Sequence, residues 1–202
     1  MRRFVIIGQR ASASPDFSLV DIPGTSGRLD ILLRCLRSAL LISHGLRQDT
    51  IAYLVLLGGP SAPRTLRFDG ASARFLRPDE RSLAVLVQKA LAAPHEGRSF
   101  VEVRPGVAVA KDGLDAVLDE CGSGRCFVLD ERGQDLRSMP TLAGDAVYFV
   151  GDHRGFDEAT RARIQVHGAV PVSVGPISIH ADDAVTVVVN ELDRRAFAAS
   201  DP

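Results

Sequence analysis

"VPVSVGPISIHADDAVTVVVNELDRR" covers residues 170–195, and its reading decides the fold. The first residues form a short apolar strand that breaks at Gly175-Pro176. The second half is rich in valine, so β-propensity alone favours a strand over 185–189. Spacing points the other way. Val185, Val188, Val189, Leu192 and Ala196 recur on one helical face, and Asp182 and Asp183 stand at the end where the helix dipole favours negative charge. "NELDRR" continues in helical residues without a break. The pattern predicts a closing helix. It leaves open whether the Gly-Pro turn before it only closes a sheet or holds a ligand.

Upstream, apolar strands alternate with amphipathic helices. "RFVIIGQ" (3–9) reads as a buried first strand, followed by a long Ser-, Pro- and Gly-rich stretch over 10–28. A loop of that length inside a compact domain is functional or disordered. A helix begins at "GRLD", with Leu29, Leu32, Leu33, Leu36 and Leu40 on its apolar face and Gly45 as its stop. "TIAYLVLLGGP" (50–60) is a central parallel strand, and "PRTLRFDG" a hairpin arm. A helix follows through Leu83, Leu86, Val87, Ala90 and Leu91. "RPGVAVAKDG" is a strand, "GLDAVLDEC" a short helix, and "DEATRARIQVHG" another helix. The alternation predicts an α/β fold, a mostly parallel sheet flanked by helices. No linker divides the chain, so a single domain over 1–202 is expected.

The 202 residues carry a net charge of −1, so affinity for a polyanion would need a local patch rather than bulk charge. Lys89 and Lys111 are the lysines; the other basic side chains are arginines, which suit bidentate phosphate contacts. Cys35, Cys121 and Cys126 lack metal-ligand spacing and read as free thiols of a reducing compartment. "MRRFVIIG" is too short for a signal peptide and no stretch approaches a membrane span, so a cytoplasmic protein is expected.

In open α/β sheets ligands bind beyond the carboxyl ends of the strands. Three late strands leave in "FVLDERG", "YFVGDHRGF" and "PVSVGPIS", where Gly151, Gly175 and Pro176 would leave a flat slot free of bulky side chains. The chain has no Walker A sequence, no GxGxxG and no GxSxG elbow. His153, His180, Asp152, Asp182 and Asp183 lack the spacing of a metal site, and no metal is expected.

"VGDHRGF" followed by "SVGPISIHADDAVTVVVNELDR" resembles the SPOUT class of methyltransferases. With "SPDFSLVDIPGTSGRLDILLRCLRSALLISHGLRQD", "YLVLLGGPSAPRTLRFDG" and "LRPDERSLAVLVQKAL", the chain resembles the tRNA (pseudouridine-N1)-methyltransferase family over almost its whole length. That resemblance implies a C-terminal deep trefoil knot over roughly 125–198, a homodimer, S-adenosyl-L-methionine as cofactor and tRNA as substrate. It implies that Leu129, Gly151 and the run Val174, Gly175, Pro176, Ile177, Ser178 and Ile179 line the cofactor pocket, largely through main chain. Ala184 is the next expected contact and stands where the family has Cys; Asp183 and Asp130 stand where the family has His.

Removing the N1 proton of a pseudouridine calls for a general base. Asp30 in "GRLD" and Asp16 in "SPDFS" flank the long front loop, and Asp30 is favoured, with Arg28 beside it to hold phosphate or uracil carbonyls. A helix-capping or ion-pairing role for Asp30 remains equally open. Arg34, Arg37, Arg47, Arg64 and Arg67 are candidate RNA contacts, with solvated surface arginines as the commoner reading of the same residues. The implied reaction is N1 methylation of a T-loop pseudouridine. The alternatives are another RNA pseudouridine, or a noncatalytic knotted RNA-binding protein.

Overall fold

The computed structural model describes residues 1–122, 124–140, 142 and 145–198. In chain order the elements are β1 (Arg2–Ser12), α1 (Ile22–Thr25), α2 (Leu29–Leu40), β2 (Leu41–Ile42), β3 (Gly45–Leu46), β4 (Thr50–Gly58) and β5 (Arg64–Asp69). Then come α3 (Glu80–Ala92), β6 (Val101–Arg104), β7 (Val107–Ala110), α4 (Leu114–Cys121) and β8 (Arg125–Asp135). β9 (Ala146–Gly151), α5 (Glu158–Val166), β10 (Val170–Ser173) and α6 (Ala181–Ala198) complete the described chain.

Eight strands form one sheet in the order β10-β8-β9-β1-β4-β5-β7-β6. The pairings from β10 through β4 are parallel, and those of β5, β7 and β6 are antiparallel. The expected mostly parallel α/β sheet is therefore present. Alternate residues of β1 face opposite layers, as the two-residue strand period requires. Phe4 and Ile6 pack on the side of α2, α3 and α6, whereas Val5 and Ile7 pack with Leu114, Val117 and Ile164 of α4 and α5.

α6 is a helix despite its valines, and magnitudes explain why. Each valine costs about 0.5 kcal/mol of helix propensity, whereas burying its side chain yields about 1.5 kcal/mol or more. Val185, Val188, Val189 and Leu192 are all buried, so packing wins.

Two local expectations needed revision. α2 ends at Leu40 rather than running to Gly45, because the chain turns extended at Leu41 and folds a small β2–β3 hairpin. The long front stretch is ordered: β1 extends to Ser12, and α1 is held by the Asp21 side chain accepting from Gly24 N at 3.0 Å. The edge strand β6 carries no periodic apolar signal, since its residues are exposed or half-buried.

Candidate functional site

The carboxyl ends of β8, β9 and β10 meet the starts of α2 and α6 around a cleft of about 1100 Å³. Its back wall is β9 and the turn that follows. Asp152 is buried there, and its carboxylate accepts from Gln9 N at 2.9 Å and Arg154 N at 2.8 Å, tying the turn to β1. The chain folds back so closely that a Cβ on Gly151 would lie 2.9 Å from Gly155 Cα. Only glycine fits that approach.

β8 forms one flank. It pairs with β9 through Arg125–Val128, and the register with β10 then shifts between Pro171 and Val172. Leu129, Asp130, Glu131 and Arg132 therefore turn toward the cleft. The segment after β10 forms the other flank, with Ile177 and Ile179 exposed at 75% and 42%. A Cβ on Gly175 would meet nothing within 4 Å, so there is open space beside this glycine.

Of the residues expected to line a cofactor pocket, Leu129, Gly151, Val174, Gly175, Ile177, Ser178, Ile179 and Ala184 are brought together around this cleft. Pro176 sits between them without forming part of its wall. Arg28 lines the cleft from the far side, at the start of α2.

Asp30 lies behind Arg28, with only 3% of its side chain exposed. Its Oδ1 accepts from Arg28 Nε at 2.9 Å, and its Oδ2 from Arg28 Nη2 and Arg34 Nη1, each at 3.0 Å. Burial works against the carboxylate charge, but the bonds and charges of Arg28 and Arg34 outweigh it and hold the Asp30 pKa below its ordinary value. Arg28 is itself in a left-handed conformation, φ 71°, directly after Gly27 at φ 65°. A Cβ on Gly27 would stand 1.9 Å from Arg10 O, so this turn packs hard against the end of β1. Ser26 Oγ, not Asp30, accepts from Leu29 N at the start of α2. The helix start is thus built to present one constrained arginine to the cleft, with a carboxylate gripping it from behind.

Other sequence candidates lie elsewhere. Asp16 accepts from Ser14 Oγ at 2.5 Å on the surface, and His44 occupies the exposed β2–β3 turn. Arg47 pairs with Asp193, Arg67 with Glu120, and Arg64 donates to Leu91 O, so these three arginines are engaged within the fold. Arg34 does line the cleft, where it also touches Glu80 at 3.4 Å and Asp182 at 3.7 Å. Sequence reasoning missed Arg132, Phe156 and Arg161. Arg161 stacks over Phe156 at 6.0 Å and approaches Asp130 at 3.4 Å, an arrangement with no local sequence signature.

Cys35, Cys121 and Cys126 are free, and burial pushes the Cys121 thiol up to about 11. Among the described residues, no group of three or more His, Cys, Asp or Glu side chains is placed to hold a metal ion. No helix among them is long and apolar enough to cross a membrane.

Residues 1–197 match the family model described as "Putative SAM-dependent RNA methyltransferase". The tRNA (pseudouridine(54)-N(1))-methyltransferase of Methanococcoides burtonii is 43% identical over 202 residues, covering 99% of this chain and 100% of that protein. The protein of the same name from Methanosarcina acetivorans is 43% identical over 194 residues, covering 96% and 92%. Among solved structures, Archaeoglobus fulgidus Nep1 bound to S-adenosylhomocysteine shares the fold, with a TM-score of 0.67 at 18% identity and coverage of 96% and 99%. A full-length match of this kind, on a chain whose late strand ends enclose a cleft, places the protein in the family of S-adenosylmethionine-dependent RNA methyltransferases.

Proposed function

We propose that this chain transfers a methyl group from S-adenosylmethionine to N1 of pseudouridine 54 in tRNA, the reaction for which its full-length relatives are named. The observation that carries the reading is the juxtaposition of an apolar slot at the late strand ends with the Arg28–Asp30–Arg34 cluster on the facing wall. The residues present fit an adenosyl group. Leu129, Val150, Val174 and Ile179 provide apolar walls, and the space beside Gly175 would accept a flat ring against main chain. Ala184 contributes a methyl group to this wall where the family carries a thiol, which leaves room for the cofactor without a sulfur contact.

When bound, the cofactor supplies an electrophilic methyl on a cationic sulfur that departs as a neutral thioether. The protein therefore has to position the acceptor and make N1 electron-rich. Arg28 is the group for that task, since it lines the cleft and would stabilise the charge that spreads onto a uracil carbonyl as the N1 proton passes to solvent water. Asp30 fixes Arg28 in place; with both oxygens engaged by guanidinium donors, its contribution to proton removal is secondary.

The same reading makes 1–202 one domain with a trefoil knot over roughly 125–198. In its favour, Arg195 of α6 donates to Met139 O at 2.6 Å, Arg137 O at 3.1 Å and Leu136 O at 3.2 Å, so the segment after β8 is tied to the last turn of the closing helix. We also read the protein as a cytoplasmic homodimer. A second copy would cover Phe197, which is 76% exposed on α6.

Incubation of a tRNA carrying pseudouridine at position 54 with enzyme and cofactor, followed by nucleoside mass spectrometry, tests the reaction. One added methyl on that nucleoside is expected. Transfer only to another pseudouridine would move the substrate. Cofactor binding with no transfer to any RNA would favour the noncatalytic knotted RNA-binding alternative.

A further inference from the structure

We propose that the loop between β5 and α3 is a second RNA-contact surface, on which Phe75 stacks an unpaired base while Arg74, Arg77 and Arg81 hold the adjoining phosphates. The inference rests on the RNA-methyltransferase reading and extends it away from the reacting nucleotide. Phe75 is 88% exposed and sits in the left-handed region at φ 61°. For a bulky residue that conformation is strained, and it persists only where the surroundings impose it.

Here they do. Asp69 O accepts from Ala73 N at 2.7 Å, and its carboxylate accepts from Ala71 N at 2.9 Å and Ser72 Oγ at 3.0 Å. Ala73 is buried against the β6–β7 turn, where a Cβ on Gly106 would lie 2.1 Å from Ala73 N. On the other side, Leu76 packs against the main core. The backbone of Phe75 is therefore held between the anchored Ala73 and Leu76, with the ring outward and open to solvent. The loop needs no ordering when a ligand arrives, which lowers the entropic cost of stacking.

The charge around the ring selects the partner. Arg74, Arg77 and Arg81 are exposed and take part in no ion pair among the described residues. Of the nearby acids, Asp79 caps α3 by accepting from Ser82 N at 2.8 Å and feels the charge of Arg77, and Glu80 faces Arg34 at 3.4 Å, which leaves the three arginines in excess. An exposed aromatic ring among exposed arginines matches the stacking and backbone contacts of single-stranded RNA better than an apolar protein face. The surface also adjoins the cleft, because Arg34 lines the cleft and touches Glu80, the first residue of α3. Phe75 precedes Glu80 by a stretch of chain that spans at most about 18 Å, within the width of one folded RNA arm.

Binding of an unmodified tRNA transcript to parent, Phe75→Ala, Phe75→Trp and the double variant Arg74→Glu/Arg77→Glu tests this, with S-adenosylhomocysteine calorimetry and sedimentation on each. Phe75→Ala is expected to weaken tRNA binding about tenfold and to raise KM more than it lowers kcat, while Phe75→Trp retains affinity. The double variant should weaken binding further and flatten its salt dependence. Homocysteine-nucleoside affinity should hold in all of them. Parent-like tRNA affinity and KM in Phe75→Ala overturn the surface alone, and so does a change of oligomeric state, since the ring would then be a protein contact. A parent chain that binds and methylates no tRNA overturns the underlying functional reading as well.

Discussion

Replacing Asp30 by Asn probes the cluster with little change of shape. In the parent, three charge-assisted bonds converge on the carboxylate: Arg28 Nε at 2.9 Å, Arg28 Nη2 at 3.0 Å and Arg34 Nη1 at 3.0 Å. An amide keeps one acceptor oxygen and turns an NH2 toward a guanidinium donor, so at least one of these bonds is lost and the others lose their charged acceptor. Bonds to charged groups are worth about 1.5–3 kcal/mol each. Arg28 and Arg34, however, are 43% and 37% exposed and recover hydration when released, so the stability loss should be about 1–2 kcal/mol in total. Turnover should suffer more. A misplacement of about 1 Å costs on the order of 100-fold, so Asp30→Asn should lower single-turnover methyl transfer at least tenfold while S-adenosylhomocysteine affinity stays the same. The pH dependence separates positioning from proton removal. A lost base is rescued about tenfold per pH unit as hydroxide takes over, whereas a lost positioning group leaves parent and variant profiles parallel; parallel profiles are expected. Turnover within threefold of the parent would refute the reasoning.

Because Arg28 and Arg34 depress the Asp30 pKa, its contribution to stability is complete above the unfolded value of about 3.9 and is lost as pH falls through the folded value. The difference in Tm between parent and Asp30→Asn should be flat from about pH 8 to pH 5 and close below about pH 4. Gly151→Ala drives a Cβ to within 2.9 Å of Gly155 Cα, so S-adenosylhomocysteine affinity measured by calorimetry should fall at least tenfold. Ala184→Cys adds a thiol at a cleft-lining position and should leave that affinity within about threefold. Arg195→Ala strips three carbonyls of their donor, and denaturant unfolding should show a loss of about 2–3 kcal/mol.

The sheet and its helices were legible because apolar periodicity reports burial, and burial dominates these elements. β4 reads as a run of apolar residues because it is covered on both faces. α6 was the hard case, since β-propensity and helical spacing disagreed over the same valines, and the deciding signal was the position of Leu192 and the polar residues beyond. Where burial is weak, the signal fades. β6 is an exposed edge strand, and α1 occupies a single turn defined by the Asp21 cap rather than by any apolar stripe.

The cleft divides in a similar way. Its proposed cofactor wall combines main chain at Gly151 and Gly175 with scattered apolar side chains, a set that no sequence period picks out; only the ordered likeness to a family named Leu129, Gly151 and the Val174–Ile179 run together. Its acceptor side depends on side-chain geometry that no spacing encodes. Arg28 and Asp30 are two residues apart, which on an ordinary helix would point them in different directions. They meet because Arg28 is not helical: the left-handed turn at Gly27-Arg28 swings the guanidinium back over the first turn of α2 onto Asp30. That turn in turn depends on Gly27 passing against Arg10 O, where any side chain would clash. A glycine that looks like ordinary loop punctuation is thus the reason an arginine faces the cleft, and Gly27→Ala should lower single-turnover methyl transfer through Arg28 although residue 27 is not part of the cleft wall.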